Sequence, residues 1–450
     1  MTEPVPVPQQ ESRPRRNVGR TIGFAAFVVV ITLSAITLLL YLGFNIGWQA
    51  LVIGLVAAVL PVPVLVTCYL WLDRYGPEPA GFLALTFFWG ACVATGAALA
   101  VNTGAAYLFD RFGWSENFVA VGVAPVIEET MKALGPALLL VFFRRREVSG
   151  ITDGLVYCGL SAVGFAMVEN ILYLGGHGYA TGVEKYGPAS GAQSLVVIFI
   201  GRILLTGFAH PLFTSMTGIG LGIALRSPRR SVQIFAPIGG LLLAMLLHAT
   251  WNLMPTLSAI TGEGLFFLYG FIGLMVPVFL GMIGLAIWVR AREGRLTERM
   301  LPRYVRLGWF SPPEVAALGS LARRHSARRW ARRVAGEPGL RAMRHYQTAA
   351  TRLAVLRDGL ERGLDRNPAE LARIGTEERT LLAGIAASRA AFVGRDPAAP
   401  NALWDGTQYH ITFPDGSRRS MPPPAEPVVP IPVPLPPAPP PPPPYPMAYR

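Results

Sequence analysis

Through its first 290 residues the chain is built of long apolar runs separated by short polar breaks, and after residue 290 those runs stop. A helix rises about 1.5 Å per residue against a ~30 Å hydrocarbon core, so an apolar run of about 20 residues predicts a membrane-crossing helix. Eight segments meet that length: 21–44, 48–72, 81–109, 118–143, 150–175, 195–225, 232–256 and 264–290. Stretches 312–334, 339–364 and 376–393 instead carry apolar residues at mixed three- and four-residue spacing with Gly and Pro between them, which predicts a small cytoplasmic helical unit. From Met421 onward proline dominates, and an extended, disordered tail is expected. The expected fold class is all-α: a polytopic membrane helical bundle with about eight transmembrane helices, then a helical region and a proline-rich tail. Its parts are an N-terminal segment (1–20), the membrane domain (21–290), a basic helical region (291–400) and the disordered tail (401–450).

Composition agrees. Hydrophobic residues make up 52% of the chain and charged ones 15%, a balance that a soluble protein of this length would struggle to bury. Arg13, Arg15, Arg16 and Arg20 precede a first run that is too long for a signal-peptide core and lacks a small-residue cleavage site, so it reads as a retained span. Further arginines follow the fourth span (Arg144, Arg145, Arg146), the sixth (Arg226, Arg229, Arg230) and the eighth (Arg290, Arg292, Arg295). Every second boundary is therefore basic, which places both termini in the cytoplasm of a multi-pass cell-membrane protein. Residues 291–450 hold 24 arginines, no lysine and 14 acidic residues, and so carry +10 of the chain's +13. Arg323, Arg324, Arg328, Arg329, Arg332 and Arg333 can hold anionic lipid headgroups at the inner leaflet, and a solvated basic helix face explains them equally well. Without aromatic interleaving, nucleic-acid binding is not expected. Cys68, Cys92 and Cys158 have no ligand or redox spacing.

Against this background the polar residues inside the apolar runs stand out. Glu128, Glu129, Glu169, His210 and His248 all lie in predicted spans, where a charged side chain at a helix centre costs roughly 2.5–3.5 kcal/mol on insertion scales and usually serves a function. Counted from the outer surface at helical rise, Glu128 lies ~15 Å deep, Glu169 ~9 Å, His248 ~12 Å and His210 ~22 Å. The carboxylates and His248 thus share one layer. Glu128 and Lys132 are four apart on one helix face, where the ammonium can offset the carboxylate, and Lys132 is one of two lysines among 38 arginines. Phe165 and Glu169, and His248 and Asn252, repeat that spacing. Pro125 can loosen its helix one turn before the glutamates. His210, Thr214, Gly218 and Gly222 form a line of mostly small residues suited to close helix approach. Arg202 reads as a counter-ion for a buried glutamate, and Asn170 and Asn252 can equally be interhelical hydrogen-bonding groups.

These residues carry a resemblance. Glu128-Glu129-x-x-Lys132, Phe165-x-x-x-Glu169-Asn170, the His210 segment with its following glycines, and His248-x-x-x-Asn252 resemble the ordered motifs of the PrsW family of intramembrane proteases, relatives of the CAAX-processing and bacteriocin-processing glutamate proteases. Leu72-Asp73-Arg74-Tyr75-Gly76-Pro77-Glu78-Pro79 resembles a further feature of that family, with Gly76 where an acidic residue is common. The likeness covers roughly residues 65–256 and says nothing of the helices and proline tail that follow. It implies an endopeptidase in which Glu128 and His248 activate water while Asn252 and the third motif support the oxyanion. Glu129 would complete the catalytic group, with Lys132, Phe165, Asn170 and Arg202 supporting it. Substrates would be membrane proteins, such as single-span anti-sigma factors.

The chain departs from those relatives in ending the third motif in Glu169 rather than histidine. An ionised carboxylate cannot stabilise an oxyanion, so Glu169 must be protonated, paired or bound to a metal. Glu169, His210 and His248 would make a three-ligand Zn2+ set with Glu128 as base; a metal-free scheme stays open beside it. No His-Glu-x-x-His occurs. Two other classes compete with the protease: a proton-coupled transporter using the buried Glu, Lys and His as a relay, and a scaffold whose proline tail recruits partners. No inverted repeat or paired broken helices are evident from the sequence, which counts against the transporter.

Overall fold

A computed structural model of the chain describes residues 18–144, 147–307, 309–364, 367–393, 395–396, 401–412 and 418–422. Most of the expected N-terminal segment, Arg145, Arg146 and the proline tail beyond residue 422 lie outside the described residues. Among the described residues, seven helices are long and apolar enough to cross a membrane: α1 (Thr21–Ile46), α2 (Trp48–Leu72), α3 (Ala80–Arg111), α5 (Ile151–Tyr186), α6 (Pro188–Leu225), α7 (Arg230–Thr261) and α8 (Leu265–Val305). Between α3 and α5 stands one more continuous helix, α4 (119–144). Its apolar sequence is interrupted by Glu128, Glu129 and Lys132, so the helix that stands apart from the seven is the one that carries the charges.

Helix α5 is the axle of the bundle: 83% of its most apolar window is buried, against 17% for α1, α2 and α7. Glycine explains how its neighbours come so close. A Cβ at Gly154 would stand 1.9 Å from the Gly218 carbonyl oxygen of α6, and one at Gly164 would stand 2.1 Å from the Phe87 carbonyl oxygen of α3. Only backbone-to-backbone contact fits those gaps, which is how small residues draw membrane helices together where no hydrophobic force distinguishes protein from lipid. The Gly218 line predicted on α6 is therefore seated on α5, and it sets Phe165 and Glu169 of α5 beside His210 of α6.

Two helices are broken at mid-length. α2 is interrupted at Leu60–Pro61, where Pro61 and Pro63 lack the N–H that would continue the ladder, and α6 is interrupted at 206–208. The expectation of no paired broken helices fails here, because proline and a single glycine inside an otherwise apolar run are weak punctuation until the backbone is seen. The break in α6 also undoes the depth count for His210. The His210 and His248 rings are 5.1 Å apart, in one layer, and a straight-helix rise does not hold across an interrupted helix.

The boundary drawn at residue 290 crosses an intact helix, since α8 runs on to Val305. Its end joins α9 (Pro312–Gly319), α10 (Leu321–Glu361) and α11 (Pro368–Ala390) in a second core built on Met300, Tyr304, Phe310, Trp330, Tyr346 and Leu382. α10 bends at Gly336, whose φ of 63° is the left-handed conformation that glycine adopts freely. Three short strands follow, β1 (Asn401–Trp404), β2 (Tyr409–Thr412) and β3 (Arg418–Met421), paired antiparallel in the order β1-β2-β3. Residues 401–421, expected as part of a disordered tail, thus include a small sheet. Its first turn is closed by the Asp405 carboxylate, which accepts from the backbone N–H of Thr407 and Gln408, each at 2.8 Å.

The C-terminal unit is clamped onto the bundle through the 72–79 loop. Arg324 is 2% exposed and donates to the carbonyls of Tyr75 (2.8 Å) and Leu318 (2.7 Å) and to Thr351 (2.7 Å), while the Tyr75 hydroxyl donates to the Gly319 carbonyl at 2.8 Å. A guanidinium so enclosed reaches no lipid, which removes Arg324 from the proposed headgroup-binding set. Arg226, at the end of α6, pairs with Asp358 of α10.

Candidate functional site

Four helices bring their polar groups to one point. The Lys132 ammonium, fully buried, lies 3.1 Å from Glu128 Oε2, 2.9 Å from Glu129 Oε1 and 3.1 Å from His210 Nδ1. It also sits 3.9 Å from the centroid of the Phe165 ring, a cation–π contact. Lysine and both glutamates come from one turn of α4, as the i, i+3 and i, i+4 spacings require. The other partners come from α5, α6 and α7.

Glu129 is also fully buried and accepts from His248 Nδ1 at 3.0 Å and from Thr214 Oγ1 at 2.7 Å. Because Nδ1 gives its hydrogen to a carboxylate, Nε2 of neutral His248 carries a free lone pair. That nitrogen stands 3.8 Å from Glu128 Oε2, too far for a direct hydrogen bond and open to a bridging water. Glu128 is 7% exposed, and its other oxygen accepts from Asn102 Nδ2 at 3.3 Å.

His210 is held in the complementary way. An ammonium can only donate, so Nδ1 accepts from Lys132 and Nε2 donates to Glu169 Oε2 at 2.8 Å. The same Glu169 oxygen takes the Arg202 guanidinium at 2.6 Å, whose Nε reaches Asn170 Oδ1 at 3.3 Å and whose plane lies 3.5 Å from the Tyr173 ring centroid. Of the three alternatives for Glu169, the structure shows the paired carboxylate.

Ligand atoms of Glu128, His210 and His248 all lie within 4.8 Å of one another. The set differs from the expected Glu169, His210 and His248, because Arg202 claims Glu169 from the far side of His210. Each histidine has one nitrogen on a carboxylate, Glu129 for His248 and Glu169 for His210, the outer support that metal-binding imidazoles usually have. The Lys132 ammonium, however, occupies His210 Nδ1 and Glu128 Oε2, so the set can take a divalent metal only where that ammonium gives way.

Asn252 takes another place. Its Nδ2 donates to the Ala120 carbonyl at 2.8 Å. The turn at Val119–Val123 is wound wide, with the Ala124 N–H bonded to the Val119 carbonyl. In that register Ala120 would pair with the N–H of residue 125, which is proline. Pro125 thus orphans a carbonyl and Asn252 fills the gap, tying α7 to α4 about two turns before Glu128. Asn102, Thr214 and Tyr173 were not singled out as site residues. Asn102 is a polar residue inside the third apolar run and could have been, whereas Thr214 read as a small packing residue.

Together, these elements make a multi-pass helical bundle with a buried carboxylate–imidazole–lysine cluster among its membrane-crossing helices. Comparison with known proteins agrees with that architecture. Residues 78–300, just under half of the chain, match the family model of the PrsW family intramembrane metalloprotease. Over 118 residues it is 32% identical to the protein named Protease PrsW of Clostridioides difficile (strain 630), a match covering 25% of this chain and 48% of the relative. The chain thus spans about half the length of the curated relative it matches. No solved structure matches it.

Proposed function

We propose that the chain is an intramembrane endopeptidase that hydrolyses peptide bonds of membrane-associated proteins. The observation that carries this reading is the pair His248 Nε2 and Glu128 Oε2, 3.8 Å apart, with His248 oriented from behind by Glu129. A water held between them can lose a proton to the carboxylate or the imidazole as it attacks a carbonyl, and the protonated group can return that proton to the leaving amine. Glu129 fixes the tautomer, as the buried carboxylate of a hydrolase triad does. The Lys132 ammonium and Arg202 supply fixed positive charge in a water-poor site, where it stabilises developing negative charge more than it could in water.

A divalent metal, Zn2+ being the expected one, would be held by Glu128, His210 and His248 and would polarise the water or the carbonyl. His248 and His210 would then keep their orientation through Glu129 and Glu169. The substrate would be a membrane protein, with a single-span anti-sigma factor the expectation that the family resemblance supports. Alternation of arginine-rich boundaries supports a topology with both termini in the cytoplasm.

The test is purified protein in liposomes with a single-span membrane substrate. A new, defined product made by the native chain and not by Glu128→Gln supports the reading. A transporter predicts proton-coupled flux and no product.

A further inference from the structure

A cavity of about 400 Å³ lies between α2, α5 and α6, walled by apolar side chains such as Val64, Val163, Ala166 and Phe199, a volume in the range of ligand pockets. Its one polar lining residue is Asn170. That amide accepts from Arg202, and Arg202 donates to Glu169, which holds His210. The cavity therefore ends at the wall of the reaction site.

Both helix breaks border this cavity. Leu60 and Pro61 from the break in α2, and Gly207 and Phe208 from the break in α6, are among its lining residues. Pro61 and Pro63 have no N–H, so the carbonyls of Ala57 and Val59, flanking the lining residue Ala58, lose their helical partners. Interrupted backbone at membrane depth is tolerated where it is buried in protein or lines a cavity. A helical substrate presents the opposite problem: its peptide carbonyls are covered by helical hydrogen bonds and must be uncovered before attack, which leaves N–H groups needing acceptors and apolar side chains needing room. The cavity offers the room, the two carbonyls belong to neighbours of its lining residues Ala58 and Leu60, and Asn170 links it through Arg202 and Glu169 to His210.

We propose that this cavity is a substrate subsite that receives a large apolar side chain beside the scissile bond of a membrane-spanning substrate, with the freed carbonyls of α2 accepting N–H groups of the unwound segment. The assignment rests on the proteolytic reading. A lipid acyl chain would fill the same volume but has no N–H to offer.

The test uses the full-length protein in liposomes and single-span reporters that differ only in carrying Ala, Leu or Phe at each position flanking the cleavage point. At one position the native chain should cleave the Leu and Phe reporters about tenfold faster than Ala, the rate equivalent of burying one large apolar side chain. Ala166→Leu, which narrows the cavity floor, and Val64→Trp, which narrows its mouth from a 66%-exposed position, should lower kcat/KM for Phe and spare the Ala reporter. A flat preference in the native chain, or one that neither variant changes, overturns the subsite while leaving proteolysis standing. Should either variant misfold, Leu204→Cys in a Cys68→Ser, Glu128→Gln background should cross-link to a reporter cysteine at the preferred position. Labelling of Leu204→Cys by a reactive fatty-acyl lipid that excess reporter does not reduce would assign the cavity to lipid and overturn the proposal. If the native chain cleaves no reporter, the proteolytic reading fails, and absence of the cross-link as well would remove the subsite with it.

Discussion

Two groups of carboxylates are buried in this molecule under different charge balances. Around Lys132, Glu128 and Glu129 lie within 3.1 Å of an ammonium and Glu169 takes a guanidinium at 2.6 Å, with two imidazoles between them. At the seam between the bundle and the C-terminal unit, Asp73, Glu78 and Asp153 are buried together; Arg144 pairs with Glu78 at 2.7 Å, and Asp73 accepts from the Glu78 N–H at 2.8 Å. The Ser149 hydroxyl there lies 2.9 Å from Asp153 Oδ1 and 2.8 Å from Glu293 Oε1. Burial, with Glu78 and Glu293 adding to it against the Glu78 N–H and Arg144, pushes the Asp73 carboxyl up to about 8. Burial also raises Glu78, against the pull of Arg144 and Tyr157. Similar acids therefore do different work: the first group is balanced by cations and keeps a reachable oxygen beside a free imidazole nitrogen, whereas in the second Asp73 is under-compensated and keeps a proton as part of a joint.

The largest contrast is expected from Glu128→Gln, which should lower cleavage at least ~100-fold, the lower end for loss of general acid–base catalysis, without reducing the amount of protein in the membrane. Asp73→Asn should cleave at a rate near that of the native chain. Equal losses in both would erase the distinction between site and joint. Next is Lys132→Met, which strips two buried carboxylates of their shared cation and should destabilise the bundle by ~3–5 kcal/mol; unfolding in detergent reads the loss, and adding Glu129→Gln should recover part of it.

Metal content sharpens the first cluster further. If metal is bound, His210→Ala and His248→Ala should each abolish stoichiometric zinc in purified protein, whereas Glu169→Ala, removing support rather than a ligand, should weaken affinity only ~10–100-fold. Zinc measured after dialysis at graded free concentrations separates the two, and equal loss in all three would return Glu169 to the ligand set. The joint should show itself in pH dependence. The folded Asp73 carboxyl keeps a proton that the unfolded chain, with its ordinary value of 3.8, releases. Stability is thus gained as pH falls from about 8 toward 4, and lost as pH rises through that window. Thermal unfolding should follow this trend, and Asp73→Asn should flatten it. The smallest effect is expected from removing residues 423–450, which should leave cleavage in detergent within error of the native rate.

Much of the architecture was legible because the bilayer imposes it. Apolar runs of span length predicted the helices, and Glu128, Glu129, Lys132, Glu169, His210 and His248 drew notice because charge in such a run is costly. Neighbours on one helix were also readable, since the i, i+3 and i, i+4 positions of Glu128, Glu129 and Lys132 share a face. Partners on different helices were not. Whether Glu128 or Glu169 joins the histidines depends on the rotation of α4 and α5 about their axes, and Asn252 finds the Ala120 carbonyl only because Pro125 has orphaned it on another helix. Arg324 resembled its arginine neighbours in composition and differs from them only in burial.

By itself, then, the sequence determined that this chain spans a membrane, that α4 through α7 carry ionisable groups into it, and that a separate arginine-rich helical unit follows, because length, hydropathy and helical periodicity are local properties written residue by residue. The tertiary structure decided the breaks in α2 and α6, the placing of Glu128 near both histidines while Glu169 pairs with His210 and Arg202, and the seating of the C-terminal unit on the 72–79 loop. Each of these depends on which backbones glycine lets touch and which orphaned groups then lie within hydrogen-bond reach, and such distances exist only once the helices are packed.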